Sequence, residues 1–155
     1  MTQTATLLSI QVGLPTEYPA DDHGQAWSSS IAKTPVDGPV WMGTINIAGD
    51  AQTDLKNHGG EDKAILVYGA GRYAYWRDDL PALDWAYGAF GENLTLSDLD
   101  EDSVCIGDIY TIGDGSGDAV ARVQVSQPRQ PCWKLARRWR QKDLTARVHD
   151  TGFTG

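Results

Sequence analysis

The sequence predicts a mainly β domain with peripheral α-helices, and two observations lead there. Short apolar runs suited to strands, at 5–12, 40–47, 92–96, 108–112 and 119–125, alternate with stretches of glycine, proline and polar turn residues. Helical periodicity is confined to 72–80, to the segment that follows the turn at Pro128 and Pro131, and to a short piece at 143–150. With 155 residues, 41% of them apolar and 22% charged, the chain suits one domain with a real core.

In chain order, 5–12 is the opening strand. Residues 13–30 are polar, with Pro15, Pro19 and Gly24 breaking any period, and read as a long loop. Lys33 follows on an extended segment beside Pro35, placed to enter a cleft or to lie in water. The run 40–47 reads as a strand ending in a turn at Gly49 and Asp50. His58 then opens a His-Gly-Gly knot, where glycines let a backbone approach a ligand closely, although a turn histidine capping local carbonyls fits the same pattern. After the short apolar run 64–68, a helix at 72–80 buries Tyr73, Trp76 and Leu80. A second knot follows, in which Gly88 and Gly91 flank Phe90, and Glu92 and Asn93 open a strand. Seven acids and no base occupy 98–118, a spacing that matches no EF-hand and reads as solvated loops.

The stretch 123–135 carries the chemistry. A strand reaches Ser126, two prolines stiffen the turn, and a helix begins at or just before Cys132. Unpaired amides and the positive end of the dipole at such a helix start favour a thiolate. Arg129, Lys134, Arg137, Arg138, Arg140 and Lys142 give 129–142 a charge of +6, while the remaining 7 basic and 21 acidic side chains leave −14. That field can hold a phosphate or carboxylate beside the sulfur. Cys132, Leu135, Ala136 and Trp139 also have the spacing of a buried helical stripe, with the arginines solvated around it.

A net charge of −8 argues against a general nucleic-acid or acidic-membrane binder. Two cysteines make no disulfide framework, and no signal segment or membrane-spanning run is evident, so a reducing cytoplasm is the expected compartment. His23, His58 and His149 show no zinc spacing, and nucleophile-elbow, Walker and dinucleotide motifs are missing. Chemistry centred on Cys132 remains, as a metal ligand or as a nucleophile partnered by His58.

Taken together the knots are far more specific. KTPVDG (33–38), GDAQTDLKNHGGEDKA (49–64), GAFGEN (88–93), IGD (106–108) and VSQPRQPCWK (125–134) occur in the order of the MOSC domain, and the sequence resembles its YiiM-like branch from about residue 5 onward. The resemblance implies a MOSC-type β-barrel that binds the molybdenum cofactor, with Cys132 as the protein ligand to molybdenum. Lys33 and Arg129 match basic positions that clamp the pterin and its phosphate, and His58, Gly91, Asn93 and Ser126 lie where cofactor or substrate sits. Proteins of this kind reduce N-hydroxylated purine bases and amidoximes, and Glu92 is the candidate for proton delivery. A separate electron-donating reductase is implied as partner, with no nucleic acid and no membrane, and a homodimer is compatible. The alternative is a carrier of sulfur or cofactor that uses a Cys132 persulfide or thiolate without redox turnover. YiiM-like chains usually continue past the TGFTG at 151–155 into further strands and a small helical domain. The expectation is therefore a single MOSC domain over 1–155 that lacks those parts.

Overall fold

The computed structural model describes residues 4–22, 24–113, 116 and 121–155. Its central sheet has four strands. β1 (Leu7–Val12) pairs antiparallel with β4 (Thr34–Val36) on one side and with β6 (Leu94–Leu96) on the other, while β5 (Val67–Gly69) lies parallel to β6. A parallel pair needs a crossover, and α1 (Arg72–Asp79) supplies it by packing its buried Tyr73 and Trp76 on the sheet side. Two further antiparallel hairpins, β2 (Thr16–Tyr18) with β3 (Trp27–Ser29) and β7 (Ile109–Ile112) with β8 (Ala121–Gln124), form separate sheets. Two helices, α2 (Trp133–Trp139) and α3 (Leu144–Thr151), close the chain. Among the described residues these strands form three open sheets, without the closed barrel that the resemblance implies.

The core is aromatic. Tyr68, Tyr73, Trp76 and Phe90 are fully buried, joined by Trp27, Trp85, Leu135, Leu144 and Val148. Phe90 is its hub: Tyr68 stacks on it at 4.4 Å, Trp85 at 5.2 Å, and Tyr73 meets it edge-on at 5.7 Å. The loop that carries Phe90 can invert the chain because Gly88 and Gly91 have φ of +91° and +79°. A Cβ on Gly91 would lie 2.9 Å from Ile31 Cγ1, so this glycine also permits a close approach.

Several sequence expectations are corrected. Residues 13–30 are not a plain loop, because Tyr18 stacks on Trp27 at 4.1 Å and this contact holds β2 against β3. The run 40–47 forms no strand but a turn closed by a lone Met42–Ile47 bridge, leaving Trp41 exposed. The acids at 98–118 are not all solvated: Asp100, Glu101 and Asp102 converge on Arg72, and Glu101 also accepts the Gly155 amide at 2.8 Å. Asp114 and Asp118, and the first two residues of the expected strand 119–125, lie outside the described residues.

Truncating the hub should be costly. Phe90→Ala is expected to lower stability by about 3–5 kcal/mol in urea unfolding, the range for deleting a buried aromatic. A loss below about 1 kcal/mol would mean that the loop does not anchor the core.

Candidate active site around Cys132

The turn 126–132 is fastened at three points. Ser126 Oγ donates to the Asp62 carbonyl at 2.5 Å, the Arg129 amide donates to the Gly155 carbonyl at 2.8 Å, and the Cys132 carbonyl accepts from Thr145 Oγ1 at 3.0 Å. Cys132 is extended (φ −125°, ψ 169°) and occupies the N-cap of α2. The thiol therefore precedes the helix rather than standing in its first turn, which corrects the expected helix start. It still faces the Lys134 amide, one of the groups left unpaired at a helix start.

Half-buried Cys132 is pushed up by burial, but the His58 imidazole, the Lys134 amide and the charges of His58 and Arg129 bring the thiol below its ordinary value overall. His58 reaches it from the first glycine knot. There Gln52 Oε1 accepts the Gly60 amide at 3.0 Å, while its Nε2 donates to the Ile45 carbonyl at 2.6 Å and the Lys63 carbonyl at 3.1 Å. A Cβ on Gly59 would fall 2.6 Å from Gln52 Oε1, so the His-Gly-Gly sequence is what lets this loop fold onto its support. The bond from Ser126 to Asp62 then ties the histidine loop to the cysteine turn.

Arg129 supplies the second charge. Among the described residues its Nη1 is sealed from solvent without a hydrogen-bond partner, and burial pulls the guanidinium below its usual range, opposed by the fields of Cys132, Tyr68 and Glu92. A buried guanidinium with an unused donor is a costly feature for a fold to carry, and an acceptor group supplied by a ligand would satisfy it.

The other residues singled out from sequence lie deeper or are already engaged. Lys33 Nζ forms a buried ion pair with Asp50, whose Oδ1 also takes the Gly13 amide at 2.8 Å. Asn93 joins strands: its Oδ1 accepts from the Leu66 amide at 3.1 Å and its Nδ2 donates to the Gln11 carbonyl at 3.3 Å. Gly91 meets Ile31. Glu92 is fully buried and accepts from Tyr73 Oη, from the Gly88 amide at 2.6 Å, from the Phe90 amide at 3.1 Å and from Thr95 Oγ1 at 3.1 Å.

One residue of the site was not foreseen. Arg138 is turned inward, and its Nη1 donates to the carbonyls of Ile31, Gly88 and Ala89 at 2.7, 2.8 and 3.0 Å. This corrects the reading of the basic helix as a stripe with solvated arginines. Arg137 pairs with Asp21 at 3.1 Å, so the positive field is partly spent within the fold. Nothing in the helical spacing marks Arg138 apart from its neighbours; only the three converging carbonyls do.

These features are those of a protein class. The MOSC domain family matches residues 54–155, and the chain belongs to it. It is 42% identical over 150 residues to the uncharacterized protein YflK of Bacillus subtilis, covering 97% of this chain and 64% of that one. It is 39% identical to YiiM of Escherichia coli, over 82% of this chain and 55% of that protein, and 36% identical to a protein named "Reductase" from Gibberella moniliformis, covering 83% of this chain and 22% of that one. The crystal structure of YiiM from Geobacillus stearothermophilus superposes with a TM-score of 0.73 at 39% identity, over 98% of this chain and 65% of that one. The chain thus spans less than two thirds of the relatives it matches. MOSC domains are associated with molybdenum-cofactor binding. Among the described residues no cluster of His, Cys, Asp and Glu could hold a metal by itself, and no helix is long and apolar enough to cross a membrane.

The lowered thiol is directly measurable. In a Cys105→Ser background, the rate of alkylation of Cys132 by iodoacetamide should rise with a midpoint below that of a free cysteine, because the thiolate is the reacting form. His58→Ala removes a group that favours the thiolate, so the midpoint should move upward. An unchanged midpoint would show that His58 does not act on the sulfur.

Proposed function

We propose that this domain holds the molybdenum cofactor with Cys132 as the metal's protein ligand and serves the reduction of N-hydroxylated compounds. The observation that carries the reading is that one turn holds both a depressed thiol and a guanidinium whose buried Nη1 has no partner among the described residues. A soft thiolate suits a metal already held by dithiolene sulfur, and the free Nη1 of Arg129 suits a phosphate or a pterin-ring acceptor. A relative named as a reductase is in keeping with redox use.

When bound, the cofactor supplies the two-electron chemistry: the N–O bond of the substrate breaks, two electrons and two protons are taken up, and the amine or amidine leaves with water. The chain's own residues prepare for this. His58 favours the thiolate at Cys132 Sγ, so that a ligand lone pair stands ready. Arg129 orients an anionic acceptor through Nη1. Lys33 can join that clamp only by sharing its ammonium with Asp50. Ser126 acts by holding the turn to the histidine loop, and Asn93 and Gly91 act by fixing the backbone below it. Glu92 is enclosed, so any proton it delivers must pass through the hydroxyls of Tyr73 or Thr95. Electrons come from a separate reductase.

The contact between His58 and Cys132 also favours a second reading, a thiol nucleophile with an imidazole base and no metal. Protein produced in a cofactor-competent host separates the two. Wild type should carry molybdenum and pterin and reduce an N-hydroxylated purine; Cys132→Ala should lose both the bound metal and the reduction. Activity retained by that variant would defeat the assignment, and metal-free protein inactivated by alkylation would favour the nucleophile. Arg129→Ala should retain the fold but lose a charge-assisted contact of roughly 1.5–3 kcal/mol, leaving cofactor occupancy after dialysis about tenfold or more lower. Equal occupancy would reject the clamp.

A further inference from the structure

A recess of about 570 Å³ opens beside the cysteine turn, between the β2–β3 hairpin and the start of α2. Its lining includes Gln25, Trp27, Ser28, Trp133, Lys134 and Arg137. Trp27 is buried and held flat by the ring of Tyr18 at 4.1 Å, so its position is set by the core. Trp133 follows Cys132 directly in the chain, is 49% exposed, and meets Trp27 at 67° with ring centroids 5.6 Å apart. Two indoles thus form a corner in which Trp133 stays half exposed. Arg137 lies over the Trp133 ring at 4.5 Å but is already paired with Asp21. Lys134 Nζ lies 5.7 Å from the same ring and has no carboxylate partner among the described residues.

Each element of this corner selects for a chemistry. An exposed indole offers a flat π-face, against which a heteroaromatic ring gains stacking energy whatever its sequence of ring atoms. The ammonium beside it favours an anion attached to that ring, and in a protein of net charge −8 a local unpaired cation is a specific attraction rather than a general one. Gln25 and Ser28 bring an amide and a hydroxyl to the rim, groups that can meet the ring's polar edge.

We propose that this recess binds the nucleotide form of a base, its ring against Trp133 and its phosphate at Lys134, so that the substrate of the cysteine site is an N-hydroxylated nucleoside monophosphate rather than a free base. The substrate assignment rests on the reductase reading; the binding of a nucleotide by the recess does not. A pterin phosphate has the same chemistry, and the test distinguishes it from a substrate.

The test uses the full chain, first without cofactor, titrated with adenosine monophosphate and with adenosine while tryptophan fluorescence is followed. The monophosphate should quench and should bind about tenfold or more tightly than the nucleoside. Trp133→Leu, at a half-exposed position, should weaken both ligands about tenfold, whereas Lys134→Gln should remove the preference for the monophosphate and leave the nucleoside unchanged. Cys132→Ala should bind as wild type does, which separates this site from the metal ligand. In cofactor-loaded protein the monophosphate should still bind, and the N-hydroxylated monophosphate should be reduced with a lower KM than the N-hydroxylated base. No quenching at millimolar monophosphate, or equal affinity for nucleoside and monophosphate, would overturn the recess whatever the reductase activity. Loss of monophosphate binding on loading would assign the recess to the cofactor and overturn it as well. Nucleotide binding in a protein that never takes up molybdenum would uphold the recess and reject the reductase reading alone.

Discussion

A buried carboxylate organises this domain. Glu92 gathers two hydroxyls and two backbone amides, from α1, from the Gly88–Asn93 turn and from β6, so one side chain joins the crossover helix, the second glycine knot and the central sheet. Burying a carboxylate is expensive unless it is hydrogen-bonded, and Glu92 accepts three bonds at Oε1 and one at Oε2. Arg138 donates to carbonyls of the same turn and of Ile31. Glu92 and Arg138 therefore both fasten the knot that sets Phe90 into the core. The knot is structural before it is anything else, and it fixes where α2 and hence Cys132 can stand.

The sulfur's character follows from competition between burial and field. Half-buried surroundings alone would hold the thiol protonated, but His58, the Lys134 amide and Arg129 act in the opposite direction and prevail. None of those three belongs to the core. His58 comes from a loop supported by Gln52, and Arg129 from the proline-stiffened turn, each tied to the rest by a few backbone hydrogen bonds. A rigid aromatic interior thus carries a polar site on its rim, with one buried guanidinium donor left unused among the described residues.

The sequence discloses the periodic parts of this structure and conceals the tertiary ones. The strands near 5–12, 92–96 and 108–112 and the helices near 72–80 and 143–150 are legible because alternation or helical spacing is strong there. The β2–β3 hairpin escapes, since its strands lie in a polar stretch broken by Pro15, Pro19 and Gly24, and the stacking of Tyr18 on Trp27 is visible only in space. The run 40–47 misleads for the converse reason: its apolar residues have the right composition but, among the described residues, no neighbouring strand to pair with. Within the site, the meeting of His58 and Arg129 with Cys132 follows from motif chemistry, whereas the inward turn of Arg138 and the pairing of Lys33 with Asp50 depend on partners at distant positions. Glycine knots signal a close approach without saying to what; here Gly59 approaches Gln52 and Gly91 approaches Ile31.

In the proposed complex the protein's own sulfur enters the coordination sphere of molybdenum. X-ray absorption at the molybdenum edge of the loaded protein measures it directly. Wild type should show one sulfur neighbour more than the dithiolene provides, lost in a Cys132→Ser variant whose cofactor is supplied in excess. The same sulfur count in wild type and variant would contradict it.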